Sequence, residues 1–398
     1  MLPGHEQVAA PPREAPKRPE LKGPFGGRAF RLGRVAGIDV GLDRSWIFVF
    51  LLITFSLARG FASGEAPLGP VAAWGGALLA SLLFFSSILL HEFGHSLTSN
   101  ALGLPVRSIT LFIFGGLARL SGEPERPRDE FLIAAAGPAV SVGLGLLFLA
   151  VGSLASLAGA PPVFAVIFGW LGSVNLILAV FNLVPGFPLD GGRILRAVVW
   201  QVTGSFERAT AVASQAGVIF AYFLIGTGVF LVLAAGALFN GLWLVFIGWF
   251  LLSAARGSAT QVVLERQLGA VRLEAAMAPP EPRESAGATV AQAVEDQILG
   301  QGSRFFFVGE RGAPLGFVTL PDIKRVPEAE RAATPVRAIM KIPPALRTLP
   351  HDVSLWKALR ALDEQGATEL PVERHGELVG VLTRARITGI ARNLRELG

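Results

Sequence analysis

The sequence predicts a polytopic α-helical membrane protein with about six transmembrane helices, followed by a soluble α/β unit. Charge placement is the first reason. Residues 45–256 carry 8 acidic and 9 basic side chains in 212 positions, whereas residues 257–398 carry 17 and 18 in 142. The second block has the charge density of an ordinary soluble domain, and the first has about a third of it. Run length is the second reason. Uncharged stretches cover 66–90, 131–189 and 209–255, and a helix needs roughly 20 residues to cross a bilayer. An internal repeat after residue 257 is the third, and it describes the soluble part.

The elements follow in order. Residues 1–44 read as a cytoplasmic, partly disordered segment, since 1–24 are rich in Pro and charge. The first apolar run begins only at Trp46, too far along the chain for a cleavable signal peptide. Ser45–Ala58, closed by Arg59, is the first span, and Ala66–Leu90 the second. The two longer runs hold two spans each, divided near Gly159-Ala160-Pro161-Pro162 and near Gly236–Asn240. Basic residues alternate with the spans: eight in the N-terminal segment, then Arg107, Arg119, Arg126 and Arg128, then Arg193, Arg196 and Arg208, then Arg256. That asymmetry places the N-terminus, both basic loops and residues 257–398 in the cytoplasm of a cell whose plasma membrane holds the rest.

Composition excludes several classes. With no Cys the chain is no disulfide scaffold. Its net charge of +5 is spread thinly over the three blocks, so no concentrated basic face awaits nucleic acid.

His91-Glu92-Phe93-Gly94-His95 closes the second uncharged run. On a helix, side chains four apart share a face, so His91 and His95 can hold one Zn²⁺ with Glu92 beside it as general base. Three such residues next to hydrocarbon are costly unless something binds them. A catalytic zinc takes a third protein ligand and keeps one position open. Asp190 is the further acid within the apolar stretches. The second and fourth spans both run outside to inside, so Asp190 reaches the same membrane side as the His pair. Pro185 and Pro188 break the fourth helix just before it. The alternative is an acid that merely opens a cytoplasmic loop.

The chain here resembles the site-2 protease family of intramembrane zinc metalloproteases. The resemblance rests on HEFGH at 91–95 and on Asn182, Pro185, Leu189, Asp190 and Gly191, the family's N-x-x-P-x-x-x-L-D-G pattern. It covers 45–256 and implies His91, His95 and Asp190 as zinc ligands, Glu92 as the catalytic carboxylate and Asn182 as a substrate contact. Phe114-Gly115-Gly116 and Ala136-Gly137-Pro138 look like further family features; a loop and close helix packing are their plainer reading. The implied activity is hydrolysis of peptide bonds in or near transmembrane segments of single-span proteins, such as an anti-sigma factor or membrane-tethered regulator. A substrate helix must unwind first, so helix-weakening residues near the cut should favour cleavage.

In the soluble part, 303–308 aligns with 367–372 and 316–323 with 380–387, both at an offset of 64. Two copies, about 265–330 and 331–394, should pair to bury a shared core. They resemble a tandem CBS-domain pair, which implies ATP or AMP between the copies and a homodimer through these domains. The family's ribose-contacting Thr and Asp are present as Thr319 and Asp322; the second copy has Thr383 but Arg386 in place of the acid. A docking module without ligand is the other reading of this domain. For the whole chain the alternative is a CBS-regulated ion transporter or channel using the His/Glu/Asp cluster, but no inverted repeat supports it.

Overall fold

In the computed structural model, residues 29–63, 68–113, 115–120, 122–279, 282–303, 305–310, 313–342, 348–365 and 367–397 are described. The expected disorder of 1–24, and Phe114, lie outside them. Two units separate between Ala259 and Thr260.

The first unit is a bundle of seven helices and a four-stranded sheet. Among the described residues, six helices are long and apolar enough to cross a membrane: α1 (Arg44–Ser63), α2 (Pro70–Ala101), α3 (Pro127–Leu157), α4 (Pro162–Asn182), α6 (Phe206–Ala234) and α7 (Leu238–Gly269). The chain is therefore a polytopic helical membrane protein, as its uncharged runs predict. The helix starts have local causes. Asp43 accepts from the Ser45 amide at 2.9 Å, satisfying a donor at the head of α1. Pro stands in the first turn of α2, α3 and α4, where its missing N–H costs nothing. Small residues set the packing distance. A Cβ on Gly145 of α3 would lie 3.1 Å from the Gly172 carbonyl oxygen of α4, and one on Gly172 would lie 3.0 Å from that of Gly145. Helices that meet so closely gain dispersion contact without a hydrophobic driving force.

Three expectations need correction. Asp190 does not end the fourth span. α4 stops at Asn182, and Asp190 opens a separate helix, α5 (Asp190–Thr203). At 14 residues α5 is about 21 Å long, too short to cross, so the basic segment 190–208 is mostly helix rather than loop. The second span does not stop at Leu90 either. α2 continues through the whole HEFGH motif to Ala101. Third, the stretch 101–130 is not simply a loop, because it supplies half of a sheet.

That sheet has the order β1-β2-β3-β4. β1 (Phe30–Val35) and β2 (Ile38–Leu42) form a hairpin whose turn puts Ala36 and Gly37 at positive φ, the conformation that matches strand twist. β2 pairs parallel with β3 (Val106–Phe112), and β3 antiparallel with β4 (Gly115–Leu120). Ile38, Val40, Val106 and Ile109 bury themselves against Phe93, the central residue of HEFGH. The motif thus anchors the sheet with its apolar residue.

The second unit has two halves of similar design. The first runs from a turn at Leu273–Ala275 through β5 (Pro282–Glu284), α8 (Val290–Ala293, continued by π-helical turns to Gly300), β6 (Phe305–Glu310) and β7 (Ala313–Thr319) to α9 (Leu320–Lys324). The second runs from a turn at Val336–Ala338 through β8 (Leu349–Pro350), α10 (Leu355–Gln365), β9 (Glu369–Arg374) and β10 (Glu377–Thr383) to α11 (Arg384–Leu397). Each half has its own three-stranded sheet. The chain after each turn bridges to the other half's strand, Ala278 to Val381 and Lys341 to Phe317. Neither half completes its sheet edge alone, which explains why two copies are needed.

Candidate metal centre

α2 presents His91 and His95 on one face, both buried, and the first residue of α5 presents Asp190 beside them. The His91 Nε2, His95 Nε2 and Asp190 Oδ2 atoms form a triangle with every side 3.2 Å. The far nitrogens fix the rings. His95 Nδ1 lies 2.7 Å from the Ile133 carbonyl oxygen, which can only accept, so Nδ1 carries the proton and Nε2 of the neutral ring turns a lone pair inward. His91 Nδ1 meets the Ser141 hydroxyl at 2.9 Å.

Two imidazole Nε2 atoms and a carboxylate oxygen thus converge in a buried place, a donor set that could share one cation. Its size fits zinc. Ligand atoms in a tetrahedral site with bonds of about 2.0–2.1 Å are about 3.3 Å apart, close to the triangle's edge. Both rings also have the orienting partner that metal-bound imidazoles usually have. Among the described residues, these three form the one group of three or more His, Asp or Glu side chains that could share an ion.

Two glycines make room. A Cβ on Gly137 of α3 would lie 2.2 Å from His95 Nε2 and 2.7 Å from His91 Nε2, so α3 can pass this close only with Gly there. A Cβ on Gly116 of β4 would lie 2.3 Å from Glu92 Cγ. The strand backbone therefore lies directly against the Glu92 side chain. Gly191 repeats the device at the head of α5, where a Cβ would meet the Leu183 and Val184 carbonyl oxygens at 2.3 Å.

The group borders a cavity of about 760 Å³. Its walls are apolar: Phe48 and Leu52 of α1, Phe84 and Phe85 of α2, Trp243 and Phe246 of α7. Its polar pole is His91, Glu92, His95, Asn182, Asp190 and Arg193. His91, Glu92, His95, Asn182 and Asp190, the site residues that the sequence singles out in the membrane part, all line this one space. Ser141, the Ile133 carbonyl and the apolar gallery on α1 and α7 escaped sequence reading. A Ser within a span was their one visible signal.

Thr319 and Asp322 lie in the second unit, at the first turn of α9. The Thr319 amide donates to Asp322 Oδ2 at 3.1 Å and its hydroxyl donates to the same oxygen. Lys341 Nζ sits 2.6 Å from Oδ1. Burial works against the charge of Asp322, but Lys341 and Thr319 outweigh it and hold the carboxyl below the usual range. In the second half, the Arg386 amide donates to the Thr383 hydroxyl at 3.2 Å.

Spans and donor set together define the class: a polytopic membrane protein built around a two-histidine, one-carboxylate centre of metallopeptidase type. Comparison with known proteins places it further. The family model for peptidase family M50 matches residues 79–224, and the CBS-domain model matches 336–392. The candidate zinc metalloprotease sll0528 of Synechocystis is 37% identical over 378 residues, 92% of this chain and 96% of that protein. The candidate zinc metalloprotease Rip3 of Mycobacterium tuberculosis is 36% identical over 312 residues, 77% and 78% of the two chains. A solved site-2 protease from Methanocaldococcus jannaschii is 28% identical, covering 58% of this chain and 95% of that one, with a TM-score of 0.41. The chain belongs to peptidase family M50, the zinc metalloproteases that include the site-2 proteases, and carries a CBS domain near its C-terminus. The transport alternative is not favoured.

Proposed function

We propose that this chain hydrolyses peptide bonds in or near transmembrane segments of single-span membrane proteins, with one Zn²⁺ held by His91, His95 and Asp190. The observation that carries the reading is the 3.2 Å triangle of two imidazole nitrogens and a carboxylate oxygen at the polar pole of an apolar cavity. A zinc ion there supplies Lewis acidity, polarising the scissile carbonyl and making a water acidic. Glu92, next to His91 on α2 and outside the triangle, takes the proton of the attacking water and returns it to the leaving amine. Asn182, at the end of α4, offers a side-chain amide that can both donate to and accept from an extended substrate backbone. Apolar walls from α1, α2 and α7 suit a segment that leaves lipid for this cavity. The alternation of basic segments with the spans supports a cytoplasmic N-terminus and cytoplasmic residues 257–398.

A helical substrate has its carbonyls tied in hydrogen bonds and must unwind before attack, and Gly or Asn lowers the cost of unwinding. A single-span reporter with one Gly near the cut is expected to be cleaved about 3- to 5-fold faster than a uniform poly-Leu span, the rate equivalent of a helix penalty of about 0.8–1.0 kcal/mol. Gel-resolved time courses in proteoliposomes check it. Equal rates would remove unwinding from the account.

For the second unit we propose an adenine nucleotide as regulator, with the ribose diol on Asp322 beside Thr319. Lys341 occupies one carboxylate oxygen, so the diol takes over the place of an existing bond. Titrating AMP into the full chain is expected to show Asp322→Ala weakened by about 10-fold or more, the scale of a lost hydrogen bond to a charged group. Arg386→Ala should stay within about 2-fold of wild type, the scale of an exposed charge. Absence of binding heat with AMP and ATP would leave the unit a docking role only.

A further inference from the structure

One face of α3 touches both histidines of the metal site and reaches the helix that carries Asp190. Glu130, Ile133, Gly137 and Ser141 recur at helical spacing and so form one stripe. Ser141 orients His91, the Ile133 carbonyl orients His95, and Gly137 leaves both rings their room. Glu130 contacts neither histidine. It is fully buried, and its Oε1 accepts from Arg196 of α5 through both Nε, at 2.7 Å, and Nη2. Arg196 is in turn held between two rings, 5.0 Å from the Phe187 centroid and 4.5 Å from that of Phe206. Phe187 precedes Asp190 by three residues and Arg196 follows it by six. Arg193 of α5 also comes within 3.9 Å of Glu130 Oε1, so the backbone that carries Asp190 is tied to Glu130 by Arg196 and, more distantly, by Arg193.

The pin adds to the backbone contacts that seat this segment, the Phe187 amide on the Ala213 carbonyl of α6 among them. Among the described residues, only the two imidazoles bond its carboxylate. Its place depends on where α5 begins. A buried ion pair is a poor source of net stability, because desolvating both charges offsets most of their attraction. Two donors of one guanidinium, Nε and Nη2, meet at the single oxygen Oε1, and that convergence fixes the direction from which α5 meets α3. We propose that Glu130 and Arg196 are positioning residues for the third metal-ligating carboxylate: their pair sets the register of α5 on α3 so that Asp190 meets both imidazoles. The inference rests on the reading of His91, His95 and Asp190 as zinc ligands.

The test uses the full chain in detergent, stripped of metal and titrated with Zn²⁺ against a chelating indicator. Co²⁺ serves as a second probe through its visible absorption. The double variant Glu130→Leu/Arg196→Met removes the pair but leaves apolar groups of similar size, an exchange that buried pairs often tolerate without loss of stability. Its metal-free form is expected to melt no lower than wild type, to bind Zn²⁺ about 10–100-fold more weakly, as when outer partners of metal ligands are lost, and to show shifted, weaker Co²⁺ bands. Arg196→Lys keeps the charge without the two converging donors, is expected to lie between, and takes the same titration if the double variant does not fold. Either variant with wild-type Zn²⁺ affinity and an unchanged Co²⁺ spectrum would overturn the inference. A wild type that takes up no metal would instead end the zinc reading, and this inference with it.

Discussion

Glu92→Gln is expected to retain the metal and lose hydrolysis by about 10²- to 10⁴-fold, the usual contribution of a positioned proton-transfer group. Gln has nearly the shape of Glu and can still hydrogen-bond, but it cannot take a proton from water. Shape matters here because the Gly116 backbone lies against the Glu92 stem, so a branched or larger replacement would also move β4. Glu92 is not a corner of the triangle, so the affinity of His91, His95 and Asp190 for zinc should change little. Cleavage of a single-span reporter in proteoliposomes, with metal analysis of the same preparation, separates the two effects. Cleavage within about 10-fold of wild type would remove Glu92 from the proton-transfer role.

Gly137→Ala is expected to empty the site and abolish activity. In an ordinary helix interior the exchange favours the protein by about 1 kcal/mol, since Gly is the poorer helix former. Here the added carbon would stand 2.2 Å from His95 Nε2 and 2.5 Å from its Cε1. Neither ring can simply swing aside, because Ile133 holds His95 at 2.7 Å and Ser141 holds His91 at 2.9 Å. Steric overlap decides the sign. The rings must leave their inward orientation or α3 must retreat, and each outcome breaks the triangle. Metal analysis and reporter cleavage check it; a Gly137→Ala protein with wild-type zinc content and rate would contradict the close approach of α3.

The parts of this architecture legible in the sequence are those written in local pattern. Hydrocarbon excludes charge, so uncharged runs delimited six spans and Pro161-Pro162 divided α3 from α4. The i, i+4 spacing of His91 and His95 needed only one helix. Asp190, 95 residues further on, was found because an acid among apolar residues is conspicuous. The residues that position these donors left no such trace. Arg196 reads from sequence only as one of the basic charges that set orientation, and its partner Glu130 lies 66 positions away. β3 and β4 read as loop in the sequence because two short strands between spans have too few residues to show a period, and β3's partner β2 lies before the first span. Asp190 was assigned to the end of one helix rather than the start of another, because two prolines show where a helix breaks but not where the next begins.

The central claim is that one buried triangle, drawn from α2 and α5, holds the catalytic metal. Zinc content of the detergent-purified full chain tests it without any knowledge of substrate, with His95→Ala and Asp190→Ala measured alongside. The account predicts about one zinc per wild-type chain, as a three-ligand catalytic site holds, and its loss from both variants. A wild type without zinc after metal resupply, or Asp190→Ala with its full complement, would contradict it.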